Sequence, residues 1–248
     1  MSNSTAYPAA RAAIENSSSI LFQRQWRVYR KVLDCDLMEH SKVYGCLHRT
    51  LLQELSGPFR FLDVACGDAS ASVGALRGTC VTSYHGIDLS GPALAIAREQ
   101  VMLLPCAAIL EQADFAEALA RRREQADVIW LGQSLHHLDS GGKLAVMRDI
   151  CRLLDQPGLF LLWEPTRYDE EDRDAWLVRF ETRSSAWLPT LSVEEWAAMV
   201  DHVRIADYPE TVSAWLAMGC EAGFAEAREL LQAPYDLGRL YCFRSQPS

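Results

Sequence analysis

The sequence predicts an α/β protein with a doubly wound, mostly parallel sheet, and three observations carry that expectation. From Arg60 onward, short apolar runs alternate with helical patterns, the order expected of βαβ units. The fifth run, Leu159–Trp163, is apolar at every position, as a strand covered on both faces requires. The turn out of the first run, Ala65-Cys66-Gly67, is built from small residues that let a ligand approach the backbone closely.

Each element has a local reason. Phe61–Val64 reads as the first strand, and a helix through Ala69–Arg77 stops at Gly78. Val81–Ile87 is the second strand. Ser90 then caps a helix over Pro92–Leu103, with Pro92 near its start and Pro105 just beyond its end. Ala107–Leu110 and Asp127–Leu131 are strands three and four, separated by a helix over Phe115–Gln125. Leu144, Met147, Cys151 and Leu154 recur at helical spacing, which predicts an amphipathic helix over 142–154. Asp155–Gly158 turns the chain into strand five.

The flanks differ in character. Residues 1–58 are expected to form a helical N-terminal cap on a domain spanning 59–248. Within the cap, Phe22, Trp26, Tyr29 and Leu33 fall on one helical face. Residues 165–218 are too long for a simple crossover and predict a helical insertion after strand five, in which Ser192 and Glu195 form a capping box. Five of the seven tryptophans lie between 163 and 215, where they suit the insertion's own core or an aromatic wall for a ligand.

Composition narrows the function. With 248 residues the chain can bury a full core, and 24 Lys+Arg against 33 Asp+Glu give a formal net charge of −9. That balance argues against a nucleic-acid binder, which needs a basic face, and Arg121-Arg122-Arg123 reads as a solvated helix surface. No run approaches the ~20 apolar residues of a membrane helix, and the polar N-terminus lacks a signal core, so a cytoplasmic protein is expected. The eight cysteines form no CxxC and no cluster with histidine; they read as small core residues, and no metal site is expected.

The motif after the first strand carries the chemistry. Asp63 ends the strand, where a carboxylate opposes a pyrophosphate but suits a cationic ligand, which argues against a dinucleotide. Phe61–Ser70, Gly86–Ser90, Ala113-Asp114-Phe115 and Asp127–Leu138 together resemble the class I S-adenosylmethionine-dependent methyltransferases, over about residues 60–244. The resemblance implies a seven-stranded sheet closed by an antiparallel pair, Ala225–Leu231 and Leu240–Phe243, with S-adenosylmethionine as cofactor. It implies cofactor contacts from Asp63, Ala65 and Gly67 in the first loop, and from Asp88 and Leu89 at the ribose. Asp114 and Phe115 would meet the adenine, with Gln133 after strand four. The loop departs from the family pattern at Ala65 and Ala69, where glycines are usual. Alanine at 65 costs little if φ is negative there; a positive φ would put cofactor affinity in question.

Ligands of open α/β sheets lie beyond the carboxyl ends of the strands. His136 and His137 after strand four and Glu164 after strand five are therefore the expected catalytic groups, with Glu164 and one histidine facing the acceptor. Tyr29, His40 and Tyr44 on the N-terminal segment and Arg167 after strand five are the expected substrate contacts. The expected activity is methyl transfer to a small organic acceptor, with a homodimer left open. The alternatives are a protein or tRNA methyltransferase, and a catalytically silent cofactor-binding subunit.

Overall fold

A computed structural model describes residue 28 and residues 30–233 and 237–246. Phe22, Trp26 and Tyr29 lie outside the described residues, as does the helical face expected of them.

The strands are β1 (Phe59–Val64), β2 (Val81–Asp88), β3 (Ala107–Gln112), β4 (Ala126–Gly132), β5 (Leu154–Arg167), β6 (Glu210–Thr211), β7 (Glu226–Gln232) and β8 (Gly238–Arg244). The main sheet runs β3-β2-β1-β4-β5-β8-β7. Its first five strands pair in parallel, and β8 is antiparallel to both β5 and β7. Those seven strands are the expected sheet. The eighth was not anticipated: two-residue β6 pairs in parallel with the tip of β5 through Thr166↔Glu210.

Period-two alternation divides the core. Phe61, Trp130, Leu161 and Trp163 point to one face, and Leu62, Ile129, Leu162 and Phe160 to the other. The first face is covered by α1 (His40–Glu54), α2 (Ser70–Leu76) and α3 (Gly91–Val101), through Leu47, Leu51, Val73 and Leu94. The second is covered by α4 (Phe115–Arg121) and α5 (Ser140–Leu153), with Leu119 and Met147. Helix α4 stops four residues short of its expected end because Arg122 turns to extended backbone. The expected Asp155–Gly158 turn lies within β5. Ala126 pairs with Leu154 but Val128 with Leu159, so the intervening residues bulge out.

Two boundaries need correction. Val43, Leu47 and Leu51 of α1 are wholly buried in the sheet core, so residues 40–54 belong to the main domain and not to a separate cap ending at 58. The insertion is shorter than 165–218. It contains α6 (Arg173–Glu181), α7 (Ser184–Trp187) and α8 (Val193–Ala206), and ends before β6. The next helix, α9 (Val212–Ala222), brings Trp215 into the sheet core and is a crossover helix of the main domain. The cysteines are not uniformly core residues either: Cys242 is buried, but Cys35, Cys80 and Cys220 are exposed.

The insertion has an aromatic centre of its own. Phe180 stacks on Trp176 at 5.8 Å and on Trp196 at 5.5 Å, and Trp187 meets Trp196 edge-on at 5.6 Å.

Helix α1 begins with a buried histidine. The His40 ring meets Trp163 edge-on at 4.8 Å, and burial pulls its pKa down to about 4, with Asp36 opposing only in part. The unfolded chain therefore takes up this proton first, and stability falls as pH drops from about 6.5 through 4. Comparing chemical denaturation of wild type and His40→Gln should show the variant losing about 2–3 kcal/mol less over that interval. Parallel pH profiles would show that the buried imidazole is not the cause.

Candidate active site

The strand order reverses between β1 and β4, which opens a crevice at their carboxyl ends. The loop after β1 enters it in left-handed conformation three times, with φ of 55° at Ala65, 55° at Gly67 and 59° at Ala69. A Cβ added at Gly67 would meet nothing within 4 Å, so the backbone there faces open space. Asp88, at the tip of β2, holds this loop. One carboxylate oxygen accepts from the Gly67 N–H at 2.8 Å and the other from the Ser90 N–H at 2.7 Å. Burial pushes the Asp88 pKa up, and those two bonds pull against it.

Asp63 lies beneath the loop, closed off from solvent. Its Oδ2 accepts from Ser72 Oγ and from the Tyr84 hydroxyl at 2.6 Å, and burial pushes its pKa up to about 7. Asp114 caps α4, accepting from the N–H groups of Ala116 at 2.9 Å and Glu117 at 3.1 Å. Phe115 is half-buried beside it, and Leu89 is 68% exposed at the same edge. Arg30 reaches Asp68 in the loop at 3.2 Å, which ties the N-terminal segment to this end of the sheet.

A second cluster lies at the tips of β4 and β5. Gln133 leaves β4 at φ 56° and donates its N–H to the Trp163 carbonyl at 2.7 Å. Glu164 is wholly buried. Its Oε1 accepts from the N–H groups of Ser134 (2.9 Å) and Leu135 (2.8 Å), and its Oε2 from His136 N–H (3.3 Å) and Nδ1 (2.6 Å). Four donors on one carboxylate shape the short 3-10 turn Leu135–His137.

Beyond His136 stands Asp207, at the C-terminal end of α8 in the insertion. The Tyr208 N–H donates to the His136 carbonyl at 2.7 Å, and His137 Nδ1 donates to the Ala206 carbonyl at 3.2 Å. These bonds place Asp207 Oδ1 at 3.7 Å from His136 Nε2 and 3.5 Å from His137 Nδ1. Burial disfavours charge on His136, but Glu164 and then Asp207 outweigh it and raise its pKa. His137 is shifted the other way, by burial and by the neighbouring His136.

The histidines and Asp207 open into a cavity of about 540 Å³ between the insertion, the N-terminal segment and the sheet edge. Its wall is largely apolar, with Met38, Trp163, Trp176, Phe180, Trp187 and Met199.

Residues 61–158 match the family model described as a methyltransferase domain. The fold is shared with magnesium protoporphyrin IX methyltransferase from Synechocystis PCC 6803, solved with bound SAH (12% identity, 95% of this chain and 100% of that chain, TM-score 0.61). It is also shared with the pyocyanin biosynthetic protein PhzM (17% identity, 83% and 55% covered, TM-score 0.56). A third likeness is to the mitomycin 7-O-methyltransferase MmcR (16% identity, 75% and 49% covered, TM-score 0.54). This chain thus spans about half the length of the last two. No curated protein sequence matches significantly. Residues 61–158 thus match a methyltransferase domain, on the fold that these solved structures share.

Within this methyltransferase domain the sequence-predicted residues separate into two groups. Ala65, Gly67, Asp88, Leu89, Asp114 and Phe115 lie in the loops after β1, β2 and β3. Gln133, also expected at the cofactor, lines the cavity, as do His136 and His137. Glu164 does not face an acceptor; its oxygens are taken by the Ser134–His136 turn, so it positions His136. Arg167 is also corrected: it donates to the carbonyls of Pro209 at 2.8 Å and Glu171 at 2.7 Å, and braces the insertion. His40 and Tyr44 pack behind the cavity wall, Tyr44 at 5.2 Å from Trp130 and 6.1 Å from Trp163. Asp207 and His202 line the cavity and carry no signal in the sequence, whereas Trp176 is one of the tryptophans that suited an aromatic wall. Asp207 lies 70 residues from His137 and carries no local motif.

The alanine departures now have a geometry. Left-handed backbone costs a non-glycine residue about 1–2 kcal/mol, partly offset by the greater entropy glycine loses on folding. Ala69→Gly should therefore raise unfolding stability by up to about 1 kcal/mol in urea titration, and Ala65→Gly should act in the same direction. Destabilisation in both variants would mean that the methyl groups pack well enough to outweigh the backbone strain.

Proposed function

We propose that the enzyme transfers the methyl group of S-adenosylmethionine to a small, largely apolar and flat organic acceptor carrying one hydroxyl, thiol or amine. The observation that carries this reading is the cavity: about 540 Å³, walled largely by aromatic rings and methionines, with polar groups that include His136, His137 and Asp207. That volume is typical of a chamber for a single small ligand. A tRNA substrate would call for a track with basic groups, and none of the described residues lining this cavity is Lys or Arg.

The parts divide the work. Gly67 gives open backbone, and Asp88 is the carboxylate nearest to it, placed to accept from ribose hydroxyls. Bound there, S-adenosylmethionine supplies an electrophilic sulfonium methyl, so the protein contributes mainly proximity, orientation and exclusion of water. Gln133 stands where the loop after β4 meets the cavity and separates the two chambers. Trp176 Nε1 is buried with no hydrogen-bond partner among the described residues, and its ring lines the cavity, so its N–H is available to an acceptor oxygen. The nucleophilic atom of the acceptor would meet the His136–His137–Asp207 patch and lose its proton there as it attacks.

Two measurements test this. Asp88→Ala should weaken S-adenosylmethionine binding ten- to a hundredfold in calorimetry, the usual loss for a charge-assisted bond of about 1.5–3 kcal/mol. Unchanged affinity would remove Asp88 from the cofactor site. The wild-type enzyme should release S-adenosylhomocysteine when offered a panel of phenols, thiols and aromatic amines. Tight cofactor binding without turnover on any of them, but with turnover on a protein or tRNA, would overturn the small-acceptor reading.

A further inference from the structure

We infer that His136, His137 and Asp207 form a binding site for one divalent transition-metal ion, facing the cavity.

Three observations support the site independently of any bound ion. First, the geometry is close: one ligand atom from each residue lies within 4.8 Å of the others, and Asp207 Oδ1 is 3.7 Å from His136 Nε2. Cis ligands on a metal with bonds near ~2.1 Å stand about 3–3.5 Å apart, so the set closes by up to about 1.5 Å as the ion binds. Second, both imidazoles are already held from behind as metal-bound histidines usually are. His136 Nδ1 is fixed by the buried Glu164 carboxylate at 2.6 Å, which leaves Nε2 toward Asp207. His137 Nδ1 donates to the Ala206 carbonyl at 3.2 Å, which leaves its Nε2 for a ligand. Third, Asp207 Oδ1 is buried without a hydrogen-bond partner, and the Asp207 side chain is only 8% exposed. Its nearest polar neighbours are the two imidazole nitrogens at 3.5 and 3.7 Å, and burial pushes its pKa up, so a cation in place of those protons would satisfy it. Lys143 is already held by Glu210 at 2.7 Å and by the Tyr208 carbonyl.

The donor set selects the class of ion. Two imidazoles, His136 giving up its proton to the ion, and one carboxylate suit Zn²⁺, Fe²⁺, Co²⁺, Ni²⁺ or Mn²⁺, and leave coordination positions open toward the cavity. Two buried carboxylates, Asp207 as ligand and Glu164 behind His136, balance a 2+ charge. This deepens the proposed methyl transfer and rests on it for the use made of the ion. An acceptor hydroxyl bound at an open position would release its proton to solvent at the open side of the cavity as its oxygen attacks the methyl carbon. The C–S bond breaks with its electron pair going to sulfur. A lowered acceptor pKa is what a bound cation supplies.

The test uses the full-length chain and Co²⁺ as a spectroscopic probe, with Zn²⁺ in competition. One Co²⁺ should bind per chain, with visible absorption of nitrogen and oxygen ligation and none of the strong near-ultraviolet bands of thiolate ligation. His137→Gln, at a half-exposed side chain, and Asp207→Asn should each weaken binding tenfold or more, while Cys220→Ser should not. Circular dichroism checks that the variants are folded. If Co²⁺ binds equally well to both site variants, or through thiolates, the inference is overturned. Turnover that survives exhaustive chelation, with no metal bound, overturns the ion's part in the reaction and leaves methyl transfer standing. Stoichiometric metal at this site without any methyl transfer has the opposite meaning: the ion site holds and the acceptor reading fails.

Discussion

Glu164 sits wholly buried at the tip of β5 with four donors around its carboxylate, and the organisation of the carboxyl edge follows from that arrangement. Three of the donors are successive backbone amides of the loop after β4, so the carboxylate fixes how that loop leaves the sheet. The fourth is His136 Nδ1, which commits the imidazole to one orientation and turns Nε2 toward Asp207. The backbone bond from Tyr208 to His136 then docks the insertion onto the same turn. One charge thus couples two strands, a catalytic-edge histidine and the lid above it. Removing a partner from such a buried ionic group typically costs about 3–5 kcal/mol, because the groups left behind lose their counterpart.

Around that point the molecule separates two tasks. The loops after β1, β2 and β3 are lined with backbone amides and carboxylates, and suit a polar cofactor. The space between the insertion and the N-terminal segment is lined with tryptophan, phenylalanine and methionine, and suits an apolar guest. Gln133 stands between them. Lys31 bridges to Glu195 at 2.7 Å, and Val32 packs with Trp187 and Leu191, so the two covering segments close on each other as well as on the sheet. The sheet edge supplies a rigid floor, and the cover supplies selectivity.

The sheet, its order of helices and the cofactor loops were legible because each is written locally, as a run of apolar residues followed by a cap or a small-residue turn. Asp88 and Gln133 follow from their places at strand ends. The sign of φ at Ala65 and Ala69 was not legible, since alanine occupies both backbone regions and only the loop's closure on Asp88 selects one. Glu164 was placed at the right strand tip but given the wrong direction. Alternation along β5 puts Trp163 toward the cavity and its neighbour Glu164 on the opposite face with Leu162, and period two alone would have said so. Asp207 could not be found by any local rule. It reaches His136 only because the whole insertion folds back, and a single aspartate at a helix end gives no sign of that return.

On this reading cofactor and acceptor occupy adjoining chambers that meet at Gln133. A crystal structure with S-adenosylhomocysteine should then show the ribose hydroxyls at Asp88, the adenine between Leu89 and Phe115, and the sulfur facing past Gln133 into a cavity left open to an acceptor. A nucleoside lodged among Trp176, Phe180 and Trp187 instead would contradict the division of the site and the acceptor chamber with it.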